Sequence, residues 1–236
     1  MHCGPSGRSI VTAARGHDKF KWHLSLDVKA FFDNVSKEVT ANTLKNIGVT
    51  KGVAAAILEA SVEDNRLPQG FPTSPVLAAL TISYVLQDFY QSFANDKILL
   101  SVYADDILLS SNDEALIWTA KKYIASKLKS VGLSLNSKES YAKNGQQFTW
   151  LSLQVYPWVT LPRKVQLALE KRVYEYKTYG IVPTDFVPKK PLKKNQSLAS
   201  AWEESLKGRA VFFKSVSTNR VTDKALGRLK SLSVQH

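Results

Sequence analysis

Two adjacent carboxylates, Asp105 and Asp106, interrupt an otherwise apolar stretch, and no other feature constrains the fold of this chain as much. Ile98 to Tyr103 precedes them and Ile107 to Leu109 follows. Both runs are aliphatic and aromatic without a helical period, so they predict two strands joined by a turn. Such a turn lifts both aspartates onto one rim of a sheet. Like charges held that close repel unless a cation neutralises them. An oxygen-only donor set with few fixed protein groups suits Mg²⁺. A polar hairpin tip accounts for Asp-Asp equally well on this stretch alone, so the two readings have to be separated by the rest of the chain.

At 236 residues, 44% apolar and 22% charged, the chain is an ordinary globular one of one or two domains. Its longest apolar run, Val53 to Leu58, falls far short of the ~20 residues that span a bilayer. The first residues lack the apolar core of a signal peptide. Cys3 is the single cysteine, so no internal disulfide forms and a reducing, cytoplasmic setting fits. The net charge of +12 is unevenly spread: residues 1–160 carry +2 and residues 161–236 carry +10. The basic end holds Arg163, Lys164, Lys171, Arg172 and the cluster Lys189, Lys190, Lys193 and Lys194, interleaved with Tyr174, Tyr176, Tyr179 and Trp202. Basic and aromatic residues together describe a nucleic-acid-binding arm better than a merely solubilising tail.

Along the chain, Gly4, Gly7 and Gly16 predict turns, with a helix starting between Ser9 and Ala14. Residues 22–28 alternate: Leu24, Leu26 and Val28 share one face, while His23, Ser25 and Asp27 share the other. Asp27 therefore ends a strand, where it can form a turn or hold a metal. Helices are predicted over Lys37–Asn46, capped by Ser36, and over Lys51–Val62. The turn-rich loop of residues 66–75 leads into a helix from Val76 to Phe93, with Ser74 as N-cap and Pro75 at its first position. An amphipathic helix follows over Glu114–Val131 and ends at Gly132. Leu133–Leu135 is short and extended, and Gln147–Tyr156 reads as a hairpin strand. The pattern shifts near Pro157–Pro162, after which helices are predicted over Val165–Tyr179, Leu198–Val216 and Asp223–Leu232.

Three stretches now stand in order: Asp27 with Phe31-Phe32, Leu67-Pro68-Gln69-Gly70-Phe71-Pro72-Thr73-Ser74-Pro75, and Tyr103-Ala104-Asp105-Asp106. Together they resemble motifs A, B and C of a reverse transcriptase palm. Gly132 to Lys138 resembles motif D, and Phe148-Thr149-Trp150-Leu151 sits where the primer-grip hairpin is expected. The resemblance covers Arg8 to Lys164 and looks nearest to prokaryotic, retron-type or group II intron-like enzymes. Two departures stand out. Ala13-Ala14-Arg15-Gly16-His17 keeps the Ala and His of the retron Asn-Ala-x-x-His but lacks the Asn, and Phe148-Thr149-Trp150 replaces Val-Thr-Gly.

The resemblance implies an α+β fold: a right-hand polymerase palm whose antiparallel sheet carries helices on one face, partial fingers, and a C-terminal helical thumb. Fingers and palm occupy residues 1–160 and the basic thumb 161–236. It implies two Mg²⁺ ions, with Mn²⁺ as a substitute, held by Asp27, Asp105, Asp106 and the Val28 carbonyl. Phe32 takes the sugar-gate position that excludes a 2′-hydroxyl. Gln69 and Gly70 flank the incoming nucleotide, Lys138 is a proton donor near the pyrophosphate, and Trp150 lies against nucleic acid. The family has some tens of residues before the Gly-Arg-Ser-Ile stretch, and this chain begins almost at it. That leaves three options: truncated fingers, fingers completed by a second chain, or a triphosphate held differently, with Arg8 and Arg15 nearest to it. The implied partners are an RNA template, a DNA or RNA primer and dNTPs, with a structured non-coding RNA as a further partner, in a prokaryotic cytoplasm and without a membrane. The competing function is a palm-fold RNA-binding or defence-associated protein whose synthesis is lost, untemplated or protein-primed.

Overall fold

The computed structural model describes residues 9–93, 97–137, 139–143, 146–151, 153–156, 159–188, 191–192 and 196–216. Arg8, Lys138, Lys189, Lys190, Lys193, Lys194 and the helix expected over Asp223–Leu232 lie outside them. The chain divides into two units: residues 1–151 with 155–157, and residues 152–154 with 158–236.

The first unit is built on a four-stranded antiparallel sheet of order β2-β3-β1-β4. Its strands are β1 (Trp22–Asp27), β2 (Ile98–Tyr103), β3 (Asp106–Ser111) and β4 (Ser140–Ala142). Six of its helices are α1 (Ile10–His17), α2 (Phe31–Asn34), α3 (Lys37–Asn46), α4 (Lys51–Ser61), α5 (Ser74–Val85) and α6 (Phe89–Ser92), and the seventh is α7 (Glu114–Lys129). A short two-stranded pair, β5 (Phe148–Trp150) and β6 (Leu153–Tyr156), follows β4.

Register decides which side chains meet water. Leu24 lies opposite Leu109 and Leu26 opposite Ile107, while Leu100 and Val102 continue the row on β2. This row is the inner face, and it joins Ile117, Ala120, Ile124 and Leu128 of α7 with Leu77 and Ile82 of α5 in one buried cluster. At about 25 cal/mol per Å² of apolar area removed from water, that layer dominates the stability of the unit. A slip of one residue would turn the whole row outward, so the register is strongly specified.

The opposite face is only partly open. His17, at the end of α1, is fully buried there, with Nδ1 2.7 Å from Ser110 Oγ and Nε2 2.9 Å from Ser101 Oγ. His23 Nδ1 reaches the same Ser110 hydroxyl at 2.7 Å, and its ring stacks on Phe148. The His23 face is therefore lined with small and polar groups, as expected, but is covered at this end. Gly16 is a helical residue of α1 rather than a turn. A Cβ there would come within 2.9 Å of Leu99 Cδ2, so the missing side chain lets the helix lie against β2.

α3 begins with the Ser36 hydroxyl accepting from Val39 N–H, as read from sequence. α5 differs from expectation. Thr73 is its N-cap and Ser74 its first residue, and the Ser74 hydroxyl donates to the Pro68 carbonyl at 2.7 Å, tying the loop instead of capping the helix. The expected helix also breaks at Leu86–Asp88 and resumes as α6. Tyr123 meets Phe89 and Phe93 edge-to-face there, the two phenylalanine rings being tilted against each other, and that tertiary packing overrides a sequence with no breaker.

The second unit contains α8 (Arg163–Tyr179) and α9 (Leu198–Val216). Leu169 and Val173 of α8 and Trp202, Leu206, Ala210 and Phe213 of α9 are buried. The Tyr176 hydroxyl donates to the Ala199 carbonyl at 3.2 Å. Val165 is 37% exposed, whereas Gln166 beside it is buried. Among the described residues, no helix is long and apolar enough to cross a membrane.

Candidate active site

β2 and β3 are joined by Ala104-Asp105 alone, since Tyr103 and Asp106 already pair across the strands. Ala104 has φ 51°, and it is the only residue of this tight loop with positive φ. That is the feature of a II′-type hairpin, whose twist matches that of the strands. Asp105 stands at the tip and Asp106 opens β3. On the other side of β3, Asp27 ends β1 directly opposite Asp106. The three carboxylates thus gather at one end of the sheet, on the face away from the helical core.

The chain leaves β1 under close control. The Val28 amide donates to the Asp105 carbonyl at 3.0 Å, and the Lys29 amide donates to the Ser134 carbonyl at 2.9 Å. Ala30 then takes a left-handed conformation, φ 44°, and starts α2. Of the two phenylalanines that follow, Phe31 is 2% exposed and belongs to the core, whereas Phe32 is only partly buried against it. Phe32 is therefore the ring available to a ligand.

The electrostatics are those of crowded like charges. Burial first, and then the charges of Asp105 and Asp27, push the Asp106 carboxyl up to about 6. Among the described residues, no lysine or arginine forms an ion pair with any of the three. Nor, among the described residues, are three His, Cys, Asp or Glu side chains drawn together closely enough to enclose an ion. The three acceptors are nevertheless adjacent in the backbone register.

One neighbour was not singled out from sequence. Asn136 follows Leu135, which bridges to Val28. Its amide nitrogen donates to the Asp27 carbonyl at 2.7 Å, and its side-chain Nδ2 donates to Asp27 Oδ2 at 3.1 Å. The only sequence signal was its place in the motif D stretch, two residues before Lys138.

Gln69 and Gly70 lie exposed in the loop before α5, and Gly70 has φ 94°, a conformation that side chains rarely adopt. Arg15 is exposed in the last turn of α1, where its charge opposes the rise that burial gives the Asp18 carboxyl. Trp150 is a correction. It is 2% exposed, with its ring 6.2 Å from that of His17, so it packs inside the first unit and is not available to nucleic acid. Arg163, Lys164, Lys171 and Arg172 are exposed on α8, Lys171 being 3.7 Å from Glu175. Arg172 also lines a cleft of about 250 Å³ within the second unit, together with Arg209, Phe186 and Trp202.

Comparison with known proteins agrees with this geometry. The model of the family described as reverse transcriptase (RNA-dependent DNA polymerase) matches residues 4–155. The retron Ec86 reverse transcriptase of Escherichia coli is 28% identical over 134 residues, covering 56% of this chain and 42% of that protein. The retron Se72 reverse transcriptase of Salmonella heidelberg is 25% identical over 115 residues, covering 48% and 30%. A retrovirus-related Pol polyprotein from the type-1 retrotransposable element R2 of Popillia japonica is 26% identical over 157 residues, covering 56% and 22%. The chain thus spans less than half the length of the curated relatives it matches. Among solved structures, telomerase from Candida tropicalis aligns with a TM-score of 0.55 at 12% identity, covering 95% of this chain and 45% of that one. Telomerase from Candida albicans aligns at 0.53 and 13%, covering 96% and 43%. At such identity the likeness concerns the fold, an α+β polymerase palm. With the family model spanning most of the first unit and every one of the three aspartates, this chain belongs to the reverse transcriptase family of RNA-dependent DNA polymerases.

Proposed function

We propose that this chain extends a primer 3′-hydroxyl with dNTPs against an RNA template. The observation that carries the reading is the register that sets Asp27 opposite Asp106, with Asp105 beside it, at one end of the sheet where, among the described residues, no lysine or arginine forms an ion pair with them. The donor set fits divalent cations: it consists of oxygen alone, it is crowded enough to raise the Asp106 carboxyl, and among the described residues no ion pair relieves it. Asp27, Asp105, Asp106 and the Val28 carbonyl would hold two Mg²⁺, or Mn²⁺. When bound, such ions ease deprotonation of the 3′-hydroxyl and offset the charge of the departing pyrophosphate.

The chain's own groups supply the rest. Phe32 stands where a 2′-hydroxyl would clash and so favours deoxynucleotides. Gln69 offers a donor and an acceptor beside the base, and Gly70 lets backbone approach it. Lys138 donates a proton to the leaving group, and Arg8 and Arg15 attract the triphosphate. Residues 1–160 act as fingers and palm. Residues 161–236 act as a thumb whose Arg163, Lys164, Lys171, Arg172, Lys189, Lys190, Lys193 and Lys194 follow the phosphates of the primed template. The setting is a prokaryotic cytoplasm.

Primer extension by the purified chain, with and without an RNA template, tests this. We expect Mg²⁺-dependent incorporation of dNTPs that needs the template and falls by about a thousandfold in Asp105→Asn, the few kcal/mol that metal-held charge contributes. Incorporation that survives Asp105→Asn would sink the site. Incorporation without template would point to untemplated or protein-primed synthesis. Binding of primed RNA with no incorporation at all would leave a binding role.

A further inference from the structure

We infer that Asn136 is a positioning residue for Asp27: it commits one carboxylate oxygen to the protein and leaves the other for the cation. The inference deepens the metal-holding reading of Asp27, Asp105 and Asp106 and rests on it.

Three observations carry it. The orientation of the Asn136 side chain is fixed, because its Oδ1 accepts from the Ser137 amide at 2.9 Å, and this turns Nδ2 toward Asp27 Oδ2 at 3.1 Å. The segment that carries it is tied to the end of β1 by three consecutive contacts: Lys29 N–H to the Ser134 carbonyl, the Val28–Leu135 bridge, and Asn136 N–H to the Asp27 carbonyl at 2.7 Å. These rungs continue β1 past the point where β4 stops pairing with it, at Ser25. The amide is thus presented by backbone that cannot drift from Asp27. Finally, Asp27 faces Asp106 directly across the strands, so its carboxylate is pushed outward unless something holds it.

The chemistry of the holder matters. A lysine or arginine at position 136 would bind the carboxylate more strongly but would cancel the charge that a cation needs. A neutral amide holds the oxygen and leaves the charge in place. Partners of this kind, which orient a ligand without touching the ion, typically change metal affinity by about 10- to 100-fold when removed.

The test reads metal binding directly. Mn²⁺ is titrated into the full chain and followed by electron paramagnetic resonance, and the Mg²⁺ dependence of primer extension is measured in parallel. Asn136→Ala and Asn136→Ser are compared with wild type, and melting temperatures are recorded in EDTA. We expect half-saturating Mn²⁺ and Mg²⁺ to rise about tenfold in both variants, with extension recovering at high Mg²⁺. On an Asp27→Asn background, adding Asn136→Ala should weaken Mn²⁺ binding no further, because the amide acts through Asp27. Both variants keep the backbone N–H of residue 136 that donates to the Asp27 carbonyl, so either can be read at lower temperature if it melts early. A folded variant with Mn²⁺ affinity within twofold of wild type overturns the inference, whatever its melting temperature. If Asp27→Asn itself leaves Mn²⁺ binding unchanged, the carboxylate site fails and this inference falls with it.

Discussion

At the scale of single residues, Asp106 and His23 oppose each other in the same pH window. Asp106 has its folded value raised to about 6 from an ordinary 3.8, so between those values the native state holds more protons than the unfolded chain. Its contribution to stability therefore declines as pH rises through the window. Burial, against a smaller backbone contribution from Phe20, lowers His23 to about 4 from 6.5. Its contribution is intact above about 6.5 and is lost as pH falls toward 4. We expect urea unfolding in EDTA to show a shallow pH dependence for wild type between pH 4 and 6. In Asp106→Asn, where the opposing Asp106 slope is gone, the loss of stability on acidification should be steeper. A variant whose slope matches or falls below that of wild type would contradict the assignment. Ala104 offers a second check at this scale. A non-glycine residue at φ 51° carries a steric cost of about 1–2 kcal/mol, part of which glycine returns as unfolded-state entropy. Ala104→Gly should therefore raise stability by up to about 1 kcal/mol in chemical denaturation. A loss of that size would mean that the hairpin needs the methyl group.

At the scale of elements, α8 begins in conflict with its own dipole. Arg163 and Lys164 occupy its first turn, which contains no acidic residue, and positive charge at a helix N-terminus is unfavourable by about 0.3–1 kcal/mol. Charge placed against stability makes sense if an external phosphate answers it. Arg163→Glu should thus raise the melting temperature slightly while weakening binding of a primed template, and a variant that binds as tightly as wild type would show that the charge is ornamental. How far elements were legible in the sequence follows from how local their causes are. α3, α7, α8 and α9 carry caps or stripes within their own residues, and their bounds agree with the sequence reading to within two residues. β4, three residues at Ser140–Ala142, has no pattern of its own and exists because β1 offers it an edge. The covered end of the His23 face was equally hidden, because it depends on Ser101 and Ser110 arriving from strands more than 70 residues away. The break in the long helix and the burial of Trp150 are likewise tertiary effects, decided by aromatic neighbours that no local rule anticipates.

At the scale of the whole molecule, the three aspartates were recognisable as a set only through their order along the chain. Asp27 precedes Asp105 by 78 positions, and only the pairing of β1 with β3 joins them. The same scale carries the charge asymmetry, with +10 in residues 161–236 against +2 before them. If that excess tracks phosphates, affinity for a primed template must fall linearly in log-log form with salt, by about 0.9 per phosphate neutralised. Individual side chains should then contribute unequally. Arg172 is exposed and among the described residues has no ion pair, whereas Lys171 already lies 3.7 Å from Glu175. Arg172→Ala should make the slope shallower by about 1 and Lys171→Ala by less, since part of the lysine's charge is answered within the helix. Because phosphates carry no sequence information, both losses should be the same on two primed templates of unrelated sequence. Fluorescence anisotropy between 50 and 200 mM salt measures these slopes for wild type and both variants on each template. Equal slopes for the two variants would remove the role given to the Glu175 pair. A sequence-dependent loss for Arg172→Ala would mean that this guanidinium reads a base edge rather than the backbone.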